Sequence, residues 1–238
     1  MNPRKTARIV GVLFLIATAA PLLSIAFVPL MFGPSELASV WLLAANENKI
    51  RIGALLEFTM AAAIVAIPIC MYPILKKYNE SMALGYVVGR LVEGLMFTIS
   101  VISLLTLLTL SKEYALAGAP SAAYYRTIVA AVLAVRSGQS VFAQFGFSLG
   151  SLMFYYILYK TKLIPRWLSG WSLIGAILFL GSAFLAMFGY GSESTIYLLM
   201  NAPGGIGEMV FAVWLIAKGF NSSAIDSLFA ATELNEVK

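Results

Sequence analysis

Histidine is absent from this sequence, cysteine occurs once, and only 11% of residues are charged against 61% hydrophobic. Each shortage removes a class of chemistry. Without histidine, catalytic triads lose their usual base, and zinc and haem sites lose their usual ligand. A lone cysteine, Cys70, allows neither an intrachain disulfide nor a multi-cysteine metal cluster. It lies in an apolar run and reads as a small buried hydrophobe. No P-loop and no serine nucleophile turn is read in the chain, so no catalytic residue, metal or cofactor is expected.

The low charge also excludes an ordinary soluble domain, in which about a quarter of residues are charged. A chain this apolar, with a mean hydropathy of +0.89, cannot hide its surface in one core, so lipid must be the solvent for most of it. The net charge of +5 does not point to nucleic acid, because the basic residues sit in short clusters beside apolar runs. That pattern sets topology.

Charge-poor runs of about twenty residues or more predict an all-α polytopic transmembrane helix bundle. The six expected spans are 9–32, 52–75, 84–110, 137–159, 168–188 and 196–217. The first is too long for a signal-peptide core, although Arg4, Lys5 and Arg8 precede it. An interfacial helix is expected near 121–136, between span three and span four, and a shorter one over 36–45 with Trp41. Residues 1–220 then form a single transmembrane domain, and 221–238 a short solvated tail carrying Asp226, Glu233 and Glu236. Ten Lys and Arg fall on the side of the termini and five on the other (Lys49, Arg51, Lys112, Arg126 and Arg136). Positive-inside then predicts a cell-membrane protein with both termini cytoplasmic. Tyr72, Tyr78, Tyr156, Tyr159, Trp167, Trp171 and Trp214 gather at that boundary, as an aromatic belt would.

Small residues mark expected helix contacts. Gly85 and Gly89 form one four-residue pair, Gly146 and Gly150 another, and Gln139, Ala143, Gly146 and Gly150 make one stripe of span four. Four ionisable residues lie inside the spans: Glu57, Arg90, Glu93 and Glu208. None should face lipid unpaired. From a rise of about 1.5 Å per residue, Arg90 lies about 9 Å from the boundary near the termini, and Glu93 and Glu208 about 13 Å. The three can meet at one level if spans three and six are neighbours. Glu57 lies near the opposite boundary, where Arg51, Arg136 or Gln139 could serve it or its carboxylate could snorkel. Pro203-Gly204-Gly205 suggests a break in span six, as transporter helices have at binding sites. Two carboxylates and one guanidinium leave one excess negative charge, to be met by a proton, a cation or a ligand amine.

Several stretches resemble a bacterial membrane family catalogued as a domain of unknown function, number 4386. They are Ala45-Asn46-Glu47 with Arg51-Ile52-Gly53-Ala54-Leu55, Tyr72-Pro73-Ile74-Leu75-Lys76-Lys77-Tyr78-Asn79-Glu80, and Ala83-Leu84-Gly85-Tyr86 followed by Arg90 and Glu93. Leu163-Ile164-Pro165-Arg166-Trp167-Leu168-Ser169 and Glu208 to Phe220 complete the resemblance. It implies a bacterial or archaeal membrane protein and brings no activity with it. Three functions are consistent with these residues. The first choice is a non-catalytic membrane component, a sensor or accessory subunit. A small proton-coupled transporter or permease using Arg90, Glu93 and Glu208 comes next, and a membrane-embedded enzyme last. Expected partners are membrane lipid and an unidentified small molecule or protein.

Overall fold

A computed structural model describes residues 2–28, 40–117, 122–191 and 194–236. Six helices are long and apolar enough to cross a membrane: α1 (Pro3–Ile25), α2 (Glu47–Leu75), α3 (Glu80–Ala117), α4 (Ala122–Thr161), α5 (Arg166–Met187) and α6 (Thr195–Ala217). A seventh, α7 (Ser222–Glu236), follows. No strand occurs among the described residues. The chain is an integral, multi-pass membrane protein.

Local chemistry sets the helix ends. Asn2 caps α1, its side chain accepting from the Arg4 and Lys5 amides, and Pro3 starts the helix with a φ already suited to it. Asn79 caps α3 by accepting from the Met82 amide at 2.9 Å. Gly219, at φ 74°, turns the chain out of α6, with its amide returned to the Trp214 carbonyl at 3.2 Å.

Each spanning helix packs on its neighbours in chain order, and α6 closes onto α1, so the six form a ring. Glycines set the distance at almost every joint. A Cβ on Gly89 would stand 2.6 Å from the Gly146 carbonyl oxygen, and one on Gly146 2.8 Å from that of Gly89. The two expected glycine pairs are therefore the two sides of one α3–α4 seam. Gly11 meets the Ala212 carbonyl at the α1–α6 closure, and Gly175 meets Gly204 between α5 and α6. Without a hydrophobic drive between helices in lipid, such backbone approach supplies the packing energy.

The bundle has two main cores. One, at the end carrying the termini, gathers Phe14, Tyr86, Phe154 and Phe211 from α1, α3, α4 and α6. Ile225 and Leu228 of α7 join it, so the stretch expected to be a solvated tail is a helix with a buried face. The other core lies toward the opposite end, where Leu43 and Ile50 pack on Leu104, Leu107 and Val129.

The structure corrects several expected boundaries. Residues 122–136 are helical but form no separate interfacial helix, since α4 runs unbroken from Ala122 to Thr161. At about 60 Å and 57 Å, α4 and α3 are longer than a hydrocarbon core of about 30 Å, and their far ends meet where the Tyr114 ring packs edge-on against that of Tyr125. Of the helix expected over 36–45, residues 36–39 lie outside the described residues, Val40 is helical, and a turn and the 3₁₀ segment Ala44–Asn46 follow it. This strap is tied to α3 by Ser111, which accepts from the Ala44 amide at 3.0 Å and donates to the Trp41 carbonyl at 3.3 Å. The last residues of the first expected span, 29–32, also lie outside the described residues. Finally, α6 continues through Pro203, so the expected break is not there.

Candidate functional site

The ring directs its charges inward at two levels. Toward the end opposite the termini, Glu57 of α2 is 1% exposed and Arg136 of α4 is 7% exposed. Arg136 Nη2 lies 2.7 Å from Glu57 Oε1, while Nη1 donates to the Ser100 Oγ at 2.9 Å and to the Ser100 carbonyl on α3. One guanidinium thus fastens three helices. Glu57 does not snorkel, and of the three residues expected to serve it the structure selects Arg136. Arg51 instead pairs with exposed Glu47, which Lys112 also reaches at 2.6 Å. Gln139 donates to the Arg136 carbonyl, leaving its own Oε1 buried without a partner.

The second level lies about 9–13 Å below the end that carries the termini. Arg90 sits there with its guanidinium 5.9 Å from the Phe14 ring centroid and 5.3 Å from that of Phe147. Arg90 Nη1 approaches Glu93 Oε2 at 2.9 Å, at an angle that leaves Oε2 without a hydrogen bond. Arg90 Nε, the Tyr86 hydroxyl and Ser172 Oγ are also buried and unpartnered. Because α3 and α6 stand apart in the ring, Glu208 does not arrive through helix packing. It shares the inner face of α6 with buried Gly204, Phe211 and Leu215, at helical spacing. From there its half-buried carboxylate lies in electrostatic range of Arg90, Tyr86 and Tyr155, and no hydrogen bond or ion pair holds it among the described residues. Of the three residues expected to meet, the structure pairs Arg90 with Glu93, and Glu208 is joined to neither by a hydrogen bond or ion pair among the described residues. Pro203, close by, has its carbonyl engaged by Trp171 Nε1 at 2.9 Å.

A third polar group escaped the sequence reading, because none of its members is charged. Gln144 Nε2 donates to Ser182 Oγ at 2.6 Å and to Asn201 Oδ1 at 2.8 Å, and its Oε1 accepts from the Tyr197 hydroxyl at 2.8 Å. Asn201 closes the loop by donating to Ser182 Oγ at 3.0 Å. Every member is paired, so the network joins α4, α5 and α6 with no vacancy for a ligand. The only available signal was the polar residues themselves inside apolar runs. The letters Gly-x-Ser-x-Gly do occur, at Gly146-Phe147-Ser148-Leu149-Gly150, contrary to the reading that the chain has no nucleophile motif. The segment is mid-helix, however, and Ser148 is fully buried and donates to the Gln144 carbonyl at 2.6 Å. A nucleophile turn needs an exposed serine at a strand-to-helix bend. No group of metal-ligating side chains occurs among the described residues.

The family model for a domain of unknown function, DUF4386, matches residues 9–219. The chain belongs to that family. The match takes in α1 to α6 and therefore both charged levels, while α7 lies beyond it. No curated protein and no solved structure matches the chain. For this DUF4386 member, function must be argued from the ring and its charges.

Proposed function

We propose that this protein is a small carrier that binds a cationic solute at the Arg90–Glu93–Glu208 level, with protons competing for the same carboxylates. The observation that supports it is a set of buried polar atoms without a hydrogen bond, Tyr86 Oη, Arg90 Nε, Glu93 Oε2 and Ser172 Oγ, with Glu208 on the inner face of α6 held by no hydrogen bond or ion pair among the described residues. A charge cluster that served only to fasten helices would be fully paired, as Glu57–Arg136 and the Gln144 network are. Two carboxylates against one guanidinium favour a ligand with one positive charge.

We further propose that the protein resides in the cell membrane with both termini cytoplasmic. Arg136 is buried in its ion pair, so the basic residues now divide ten to four in favour of the terminal side.

The competing reading is a non-catalytic accessory or sensor component, in which Arg90 and Glu93 merely clamp α3. Purified protein in liposomes separates the two. A carrier releases a preloaded proton gradient when small organic amines are added outside, and Glu208→Gln abolishes that flux while the variant purifies as folded protein. If no amine in a chemically broad panel moves protons, and Glu208→Gln matches wild type in cells, the carrier reading fails.

A further inference from the structure

Away from the central charges, the end bearing the termini holds a cavity of about 550 Å³ between the α4–α5 turn and the α6–α7 turn. Lys162, Arg166 and Lys218 line it, with Trp214 and Phe220 as apolar wall, and no acidic residue contributes. The two turns are built as one unit. The Asn221 amide donates to the Leu163 carbonyl at 2.9 Å, and the Leu163 and Ile164 side chains are anchored in the core. Lys162 is the one non-glycine residue with positive φ among the described residues, at 56°. That conformation is uncommon for a long side chain and persists here because the anchored turn imposes it.

The cations of the cleft are unspent. The side chains of Lys162 and Lys218 form no hydrogen bond or ion pair among the described residues, and Arg166 stacks its guanidinium 5.3 Å from the Tyr159 ring centroid, which leaves its N–H edge open. Arg4 adds a fourth basic side chain behind Gly219. The amino end of α5 opens beside them, since Pro165 offers no side-chain cap. Three uncompensated cations around a concave space repel one another unless an anion occupies it. The rim fixes where that anion comes from. Trp167, edge-on to Trp214 of the cleft wall, is 61% exposed, as aromatic side chains at the headgroup level are.

We propose that this cleft binds the phosphate of an anionic phospholipid headgroup, its cations holding the phosphate and Trp214 and Phe220 packing the glycerol end. Basic pockets between membrane helices take such headgroups through charge-assisted hydrogen bonds. The proposal does not rest on the central site, and a carrier or an accessory component could equally carry it.

Native mass spectrometry of the full chain, with phosphatidylglycerol or phosphatidylcholine added to the detergent, tests it. One phosphatidylglycerol should be retained per chain in preference to phosphatidylcholine, and excess inorganic phosphate should compete with it. Lys162→Gln/Arg166→Gln/Lys218→Gln should weaken retention roughly a hundredfold. Lys76→Gln, on the same face outside the cleft, should retain lipid as wild type does. Should the triple variant not fold, the three single Gln variants each supply a smaller loss of retention. Phosphatidylglycerol should also raise the wild-type melting temperature and leave that of cleft variants unmoved. Equal retention of the two lipids, saturation by inorganic phosphate with no lipid held, or undiminished retention by cleft variants would overturn the proposal.

Discussion

Arg136 reaches back 79 positions along the chain to Glu57, and the pair is sealed between α2, α3 and α4 with Ser100 as third partner. The sequence placed Arg136 at the end of an expected interfacial helix, as one of three candidate partners for Glu57. In the fold its guanidinium ties three helices together by hydrogen bonds, because its two Nη atoms point at different neighbours.

Arg136→Ala strands a carboxylate in a site that is 1% exposed, so it should cost about 3–5 kcal/mol, and Glu57→Ala a similar amount. Replacing both with leucine should recover most of the loss, since paired burial gains little over apolar packing. Reversible unfolding of the four proteins in mixed micelles measures the coupling. If the single variants unfold like wild type, the clamp is dispensable. From depth alone, Arg90→Ala would be expected to cost more than Glu57→Ala. With Glu57 more fully buried and better hydrogen-bonded than the Arg90 pair, the order should reverse.

The α3–α4 seam predicts a sharp contrast among glycines. A Cβ at Gly89 or Gly146 meets a backbone oxygen at 2.6 Å or 2.8 Å, so Ala should force the helices apart and cost about 1–3 kcal/mol. Gly138 and Gly205 face open space, so Ala there should be neutral or slightly stabilising. Melting temperatures of the four single variants check this, and equal loss at all four positions would show that the seam has no special role.

Topology can be read from single cysteines after Cys70→Ala, which leaves no thiol in the chain. Ser111 would be a poor probe site, because it is fully buried against the 40–46 strap. Glu113 and Tyr124 are exposed at the end opposite the termini, and Ser81 and Ser222 are exposed at the end bearing them. Cysteines at the first two positions should react with an impermeant reagent added to intact cells. Those at the last two should react only after permeabilisation. The reverse pattern would invert the proposed orientation.

Much of this molecule is legible in its sequence. Charge-poor length gave six spans, because a backbone in lipid must bond to itself and a helix does so within one segment. The inward stripe Gln139, Ala143, Gly146 and Gly150 followed from four-residue spacing, and all four are buried. The depth arithmetic brought Arg90, Glu93 and Glu208 to one level, because rise per residue is fixed by the helix itself. Sequence alone therefore determined what the protein dissolves in and how often it crosses.

Partnership was decided elsewhere. Which of Arg51, Arg136 and Gln139 would meet Glu57 depends on how α2, α3 and α4 turn about their axes, and helix rotation is set by packing between helices. The same holds for Glu208, which no ion pair joins to Arg90 among the described residues, because the ring is closed by Gly11 against Ala212 and α3 and α6 are not neighbours in it. Pro203 could break a helix or be carried by one, and neighbouring Trp171 and Gly175 accommodate it. Hydropathy is a property of one segment. Pairing belongs to several at once, so only the tertiary structure could assign it.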